Sequence, residues 1–180
     1  LNHQKLIMQE VYFFISLVAV ISLLTGCAGY PSLLSFPFDR GGRTLNSAAS
    51  ELTPYLASRY LVFASDRNGS QAIYLFDAID RRLLPLPGLN SLDQIASSPS
   101  ISEDGRYIVF TASRQGKTAI YLYDRQTQQR REIAADLLAE VRNPIISADG
   151  SKVAFEAAKN GQWDIMIYDL SGRVLVNENQ

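Results

Sequence analysis

Three basic residues recur at one phase of this 180-residue chain: Arg67, Arg114 and Lys159, each two positions before a glycine, Gly69, Gly116 and Gly161. The glycines are 47 and 45 residues apart. Cations repeated at one structural position can together bind an acidic partner, or each can make a local ion pair that serves its own repeat. The other chemistry-bearing residues are sparse. His3 is the one histidine and Cys27 the one cysteine. No Gly-x-Ser-x-Gly elbow or phosphate-binding glycine loop occurs. Asp104-Gly105 and Asp149-Gly150 lack the further oxygen ligands of a calcium loop and read as hairpin turns. Glu103 and Asp104 are adjacent in such a turn, so they cannot straddle a glycosidic bond. No catalytic residue, metal site or cofactor is expected.

Val11 to Leu24 is an apolar run, short for a membrane span and suited to the core of a secretion signal. It ends in Leu24-Thr25-Gly26-Cys27, which resembles the bacterial lipoprotein lipobox. That resemblance implies cleavage before Cys27 and acylation of its thiol (palmitate-type chains), which together anchor a protein stably. Ala28, where an aspartate would retain such proteins at the inner membrane, implies the outer membrane. The other reading is an uncleaved anchor helix with a buried Cys27. If the cut is made, the mature chain has neither histidine nor free thiol. A Ser-His-Asp triad and a His- or Cys-bound metal are then ruled out.

The elements that must position these residues follow. Residues 1–26 are assigned to the signal and 27–51 to a tether containing Pro31, Pro37 and Gly41-Gly42. Within the tether, Leu33 to Phe38 is apolar enough to be expected to dock. Residues 52–180 then repeat, in units of about 52–94, 95–139 and 140–180. Phe63, Phe110 and Phe155 keep the same 47- and 45-residue spacing as the glycines, and so do Asp77, Asp124 and Asp169.

The middle unit sets the pattern. Pro99 to Ser102 reads as a first strand, Arg106 to Ser113 as a second and Thr118 to Asp124 as a third, with glycine turns between them. A polar or proline-bearing fourth strand follows in each unit: Arg82 to Leu86, Arg130 to Ala134 and Arg173 to Val176. Tyr107-Ile108-Val109-Phe110 and Ile120-Tyr121-Leu122-Tyr123 have strand composition and are apolar on both faces, which argues against helical repeats. Tyr121, Tyr123, Trp163 and Tyr168 are expected to pack between units, and Arg125, Arg130 and Arg131 to form a solvated outer edge. The fold class is all-β: three four-stranded antiparallel blades of a β-propeller, either a partial propeller or half of a six-bladed ring. Apolar content of 47%, charged content of 19% and a net charge of −1 fit a globular domain and give no basic excess for nucleic acid.

Pro99-Ser-Ile-Ser-Glu-Asp-Gly105, Phe110-Thr-Ala-Ser-Arg114, Gly116 and Ile120-Tyr-Leu-Tyr-Asp124 resemble the TolB-type propeller repeat, a relative of WD-type repeats. The resemblance runs from Leu52 to about Val176. The first copy departs from it, being two residues shorter between Pro54 and Phe63 and lacking the Asp-Gly turn. The resemblance implies a periplasmic module that binds an envelope protein or a peptidoglycan-associated partner. The expected function is therefore a non-enzymatic envelope lipoprotein whose blades bind a protein or cell-wall component. The alternative is a propeller-type periplasmic enzyme acting on polysaccharide or peptide. Three blades do not close a ring, and the first unit ends in an uncapped apolar face. A homodimer that completes six blades is expected on that ground.

Overall fold

The computed structural model describes residues 43–176, all within one compact unit. The signal and lipobox, including Cys27, and the Leu33–Phe38 segment lie outside the described residues. Twelve strands form three separate four-stranded antiparallel sheets, and the described residues contain no helix. The first sheet holds β1 (Glu51–Ala57), β2 (Tyr60–Ser65), β3 (Ala72–Asp77) and β4 (Arg82–Leu84). The second holds β5 (Ile95–Ile101), β6 (Tyr107–Arg114), β7 (Lys117–Asp124) and β8 (Gln129–Ile133). The third holds β9 (Glu140–Ile146), β10 (Lys152–Lys159), β11 (Gln162–Asp169) and β12 (Val174–Val176). Each sheet is a simple meander. The first strand of the second blade, β5, contacts both β1 and β9, and the fourth strands lie at the far edges. This is the propeller-blade architecture expected from the repeats.

The first strands start earlier than the sequence suggests. β5 begins at Ile95, four residues before Pro99. Proline lacks the N–H that a ladder needs, so the sequence places the strand's start at Pro99. Each first strand instead absorbs its proline in a β-bulge. The preceding residue turns to positive φ: Thr53 at 47°, Ser98 at 47° and Asn143 at 51°. The register shifts at the same place in all three blades. The strand therefore continues on both sides of the proline.

The first blade closes its first hairpin without Asp-Gly. Ala57 pairs with Tyr60 across a two-residue turn, with Ser58 at φ 51°. Arg59, in that turn, makes a fork with Asp77, and Arg106 does the same with Asp124 through bonds of 3.1 and 2.8 Å. The third blade has Ser151 at the matching position. Asp169 turns instead to Ser171 and Arg173. The repeated aspartates thus tie the start of the second strand, or the turn after the third, to the end of the third strand.

The core lies between the sheets. At the first junction, Val62, Ala64, Ile73 and Leu75 of the first blade meet Ile101, Ile108, Phe110 and Tyr123 of the second. At the second junction, Val109, Ile120 and Leu122 meet Ile146, Val153, Phe155 and Tyr168. These side chains are almost fully buried, and each valine, leucine and isoleucine among them contributes about 1.5–3 kcal/mol by leaving water. The middle blade is apolar on both faces because each face has its own neighbour.

Candidate functional site

Arg67, Arg114 and Lys159 all lie where the second strand runs into the turn to the third, but the structure gives them three different surroundings. The Arg67 side chain is buried. Its guanidinium bonds the Glu51 carboxylate and the carbonyls of Thr44 and Leu45, each at 2.8 Å. It also stacks over Phe63 and Tyr74, 5.1 and 4.7 Å from their ring centroids. Arg114 is exposed and pairs with Asp93 at 2.6 Å. Lys159 is exposed and makes no ion pair among the described residues. The local sequence gives the reason: Leu138 stands in the connector where Asp93 stands for Arg114.

Lys159 opens onto a cleft of about 930 Å³ between the second and third blades. One wall is the β6–β7 turn, with Gly116 and Lys117. That turn is tight because Arg114 pairs directly with Lys117, and Gln115 and Gly116 both take positive φ, at 51° and 80°. The floor is the connector Leu137 to Arg142, and the far wall is the β10–β11 turn with Trp163. Leu138 is 93% exposed and Trp163 38% exposed. Arg142 lies over the Trp163 ring at 3.8 Å and bonds Glu156. Arg142 and Asn143 hold the Glu156 carboxyl below its ordinary range. Glu156 is thus paired locally, and in the cleft itself Lys117 and Lys159, which make no ion pair among the described residues, outnumber the single lining carboxylate, Glu140, beside exposed apolar side chains. That combination suits an acidic segment carrying an apolar residue.

Sequence reasoning placed Lys159 at a candidate surface and missed Lys117, Leu138 and the exposure of Trp163. Tyr123 and Tyr168 are buried as expected, whereas Trp163 stays part-exposed where it lines the cleft. The missed residues come from three separate segments that meet only when two blades pack. Of the outer-edge arginines, Arg130 turns inward. It lies over Tyr121 at 5.0 Å and bonds the Leu89 carbonyl and Gln94.

The turn aspartates are structural in their bonding. Asp149 accepts bonds from Ser147 and from both the N–H and hydroxyl of Ser151, which holds its pKa at about 2. Asp169, bonded by Ser171 and by the Arg173 backbone and side chain, also lies at about 2. Asp104 is lowered by Ser102 and the Arg106 N–H. Carboxyls held this low stay ionised at neutral pH and are poor proton donors. Among the described residues, no three His, Cys, Asp or Glu side chains converge as metal ligands.

Comparison with solved structures places these blades among β-propellers. TolB from Acinetobacter baumannii matches with 27% identity and a TM-score of 0.57, over 72% of this chain and 32% of that one. A protein assigned as TolB from Agrobacterium tumefaciens matches with 22% identity and a TM-score of 0.53, over 72% and 48%. The β-propeller domain of the Trilobed protease from Pyrococcus furiosus, described as having an open velcro topology, matches with 17% identity and a TM-score of 0.52, over 71% and 42%. The last two share the fold. The chain spans about a third to a half of the length of these structures. The resemblance to the TolB-type repeat read from the sequence is thus also a resemblance in three dimensions. No family model and no curated protein matches the sequence.

Proposed function

We propose that this chain is a non-enzymatic protein-binding module of the bacterial cell envelope. It is anchored through acylated Cys27 on the periplasmic face of the outer membrane. Its blades take an acidic protein segment in the cleft between the second and third blades. The observation that carries this reading is the cleft itself: Lys117 and Lys159 without ion-pair partners, flanking Leu138 and Trp163. The likeness to TolB and the lipobox-like Leu24-Thr25-Gly26-Cys27 support the compartment.

The test is affinity capture with the full lipidated chain from detergent-solubilised envelope, in parallel with a Lys117→Glu/Lys159→Glu variant. The reading expects one protein retained in stoichiometric amount by the wild type and released by the charge reversal. Retention of peptidoglycan fragments alone would shift the ligand to the cell wall. Turnover of a glycan or peptide library that disappears in Glu140→Gln would replace binding with catalysis.

A further inference from the structure

The two internal junctions reveal what the outer faces of the array are built to meet. Ile73 and Ile120 occupy the same place in the third strands of the first two blades, and each is 1% exposed because the next blade covers it. Their counterpart in the last blade, Ile165, is 57% exposed. Ile101 and Ile146 occupy the same place in the first strands of the second and third blades, and the preceding blade buries both. Their counterpart in the first blade, Leu56, is 64% exposed. Each end of the array therefore carries the half of a blade junction that the other end lacks.

The segment before β1 points the same way. Leu45-Asn46-Ser47 repeats Leu89-Asn90-Ser91, which lies in the connector between the first two blades. There, Leu89 is fully buried in the junction core. The Asn90 amide accepts from the Ile73 N–H at 2.9 Å and donates to the Ile73 carbonyl at 2.8 Å, gripping the third strand of the blade before it. Arg130 lies over Tyr121 and bonds the Leu89 carbonyl. Before β1 the arrangement is reproduced from different parts: Arg67 lies over Tyr74, the counterpart of Tyr121, and bonds the Leu45 carbonyl. Residues 44–47 thus occupy the position of a connector arriving from a preceding blade, and Asn46 stands where Asn90 grips its strand.

The two end faces are also matched in what they lack. At the internal junctions, Tyr60 packs onto Gly105 and Tyr107 onto Gly150. The third blade has Lys152 in place of the tyrosine, and the first blade has Ser58 in place of the glycine. A junction of the third blade with the first would lose the aromatic knob and the glycine socket together, leaving a flexible side chain against a turn with β-carbons.

We propose that a second copy of this chain supplies the missing neighbour. The third blade of each copy packs against the first blade of the other, with Ile165 of one covered by the Leu56 face of its partner, in a six-bladed ring closed by two-fold symmetry. The continuity of both end faces with the two junctions already formed carries this assignment.

The test uses the full chain in detergent, with its protein mass read by light scattering at tens of micromolar. The expected mass is that of two chains for the wild type and of one chain for Ile165→Lys. Ile165 is exposed in the single chain, so that variant should still fold and melt cooperatively, at a lower midpoint that no longer depends on protein concentration. Leu56→Lys, on the opposite face, should have the same effect. In a Cys27→Ser background, Leu56→Cys and Ile165→Cys chains mixed under oxidising conditions should form a disulfide-linked pair. A one-chain mass for the wild type, a two-chain mass unchanged by both lysine variants, or no mixed disulfide would overturn the ring.

Discussion

Tyr60 of the first blade lies so close over Gly105 of the second that a β-carbon at Gly105 would overlap its ring. Tyr107 repeats the contact on Gly150 one junction further on, where a β-carbon would lie 3.0 Å from the ring. The glycine of each Asp-Gly turn thus does two things. It takes the left-handed backbone that the turn needs, at φ 73° and 69°, and it leaves room for the aromatic knob of the blade before it.

Gly105→Ala should therefore destabilise the domain by about 1–3 kcal/mol, from overpacking and from strain at positive φ. Gly116→Ala faces open space and incurs only the φ strain. The difference between the two urea midpoints measures the Tyr60 contact. Tyr60→Ala combined with Gly105→Ala should recover part of the loss, and strict additivity would contradict the contact.

The repeated basic position should divide by burial. Arg67→Ala leaves Glu51 and two backbone carbonyls without their guanidinium and uncovers Phe63 and Tyr74, at a cost of about 2–3 kcal/mol. Arg114→Ala removes an exposed pair with Asp93 and should cost less than about 1 kcal/mol. Thermal melts of the two variants give the comparison, and equal losses would show that Arg67 is not the buried anchor described.

The repeats were legible in the sequence because the glycine, phenylalanine and aspartate markers keep one spacing, and a strand that is apolar on both faces fits a blade interior. The start of the first strands was not, because a proline argues against a ladder until the bulge before it is known. The fate of Arg67 depends on residues 44 and 45, which composition assigns to a tether. The Leu-Asn-Ser repeat was the available signal that they are a junction connector. Lys159 could be found by position alone, whereas its companions Lys117 and Leu138 belong to another blade and to a connector and reach it only through packing.

The junction connector should be sensitive at one amide. Asn90→Ala removes the side chain that satisfies both the N–H and the carbonyl of Ile73 beyond the short β4 strand. A loss of about 1–3 kcal/mol is expected, together with faster hydrogen exchange at Ile73. Unchanged exchange at that residue would contradict the bracing role.

Acid should weaken the domain through its turn aspartates. Asp149 and Asp169 have pKa values of about 2, below the ordinary aspartate value near 4. A depressed folded-state pKa stabilises above the unfolded pKa and loses that contribution as pH falls through the folded one. The urea midpoint should hold steady down to about pH 4 and fall between pH 4 and 2. Asp149→Asn with Asp169→Asn should lower the plateau and flatten the fall, and an unchanged acid limb in that variant would exclude these two groups as its cause.

Hydrogen exchange on the chain with and without its captured protein partner reads binding in the cleft between the second and third blades. Added protection is expected at Leu137 to Arg142 and at Ala158 to Trp163, and none along the β3–β4 edge. Protection confined to that edge, with residues 137–142 and 158–163 unchanged, would contradict it.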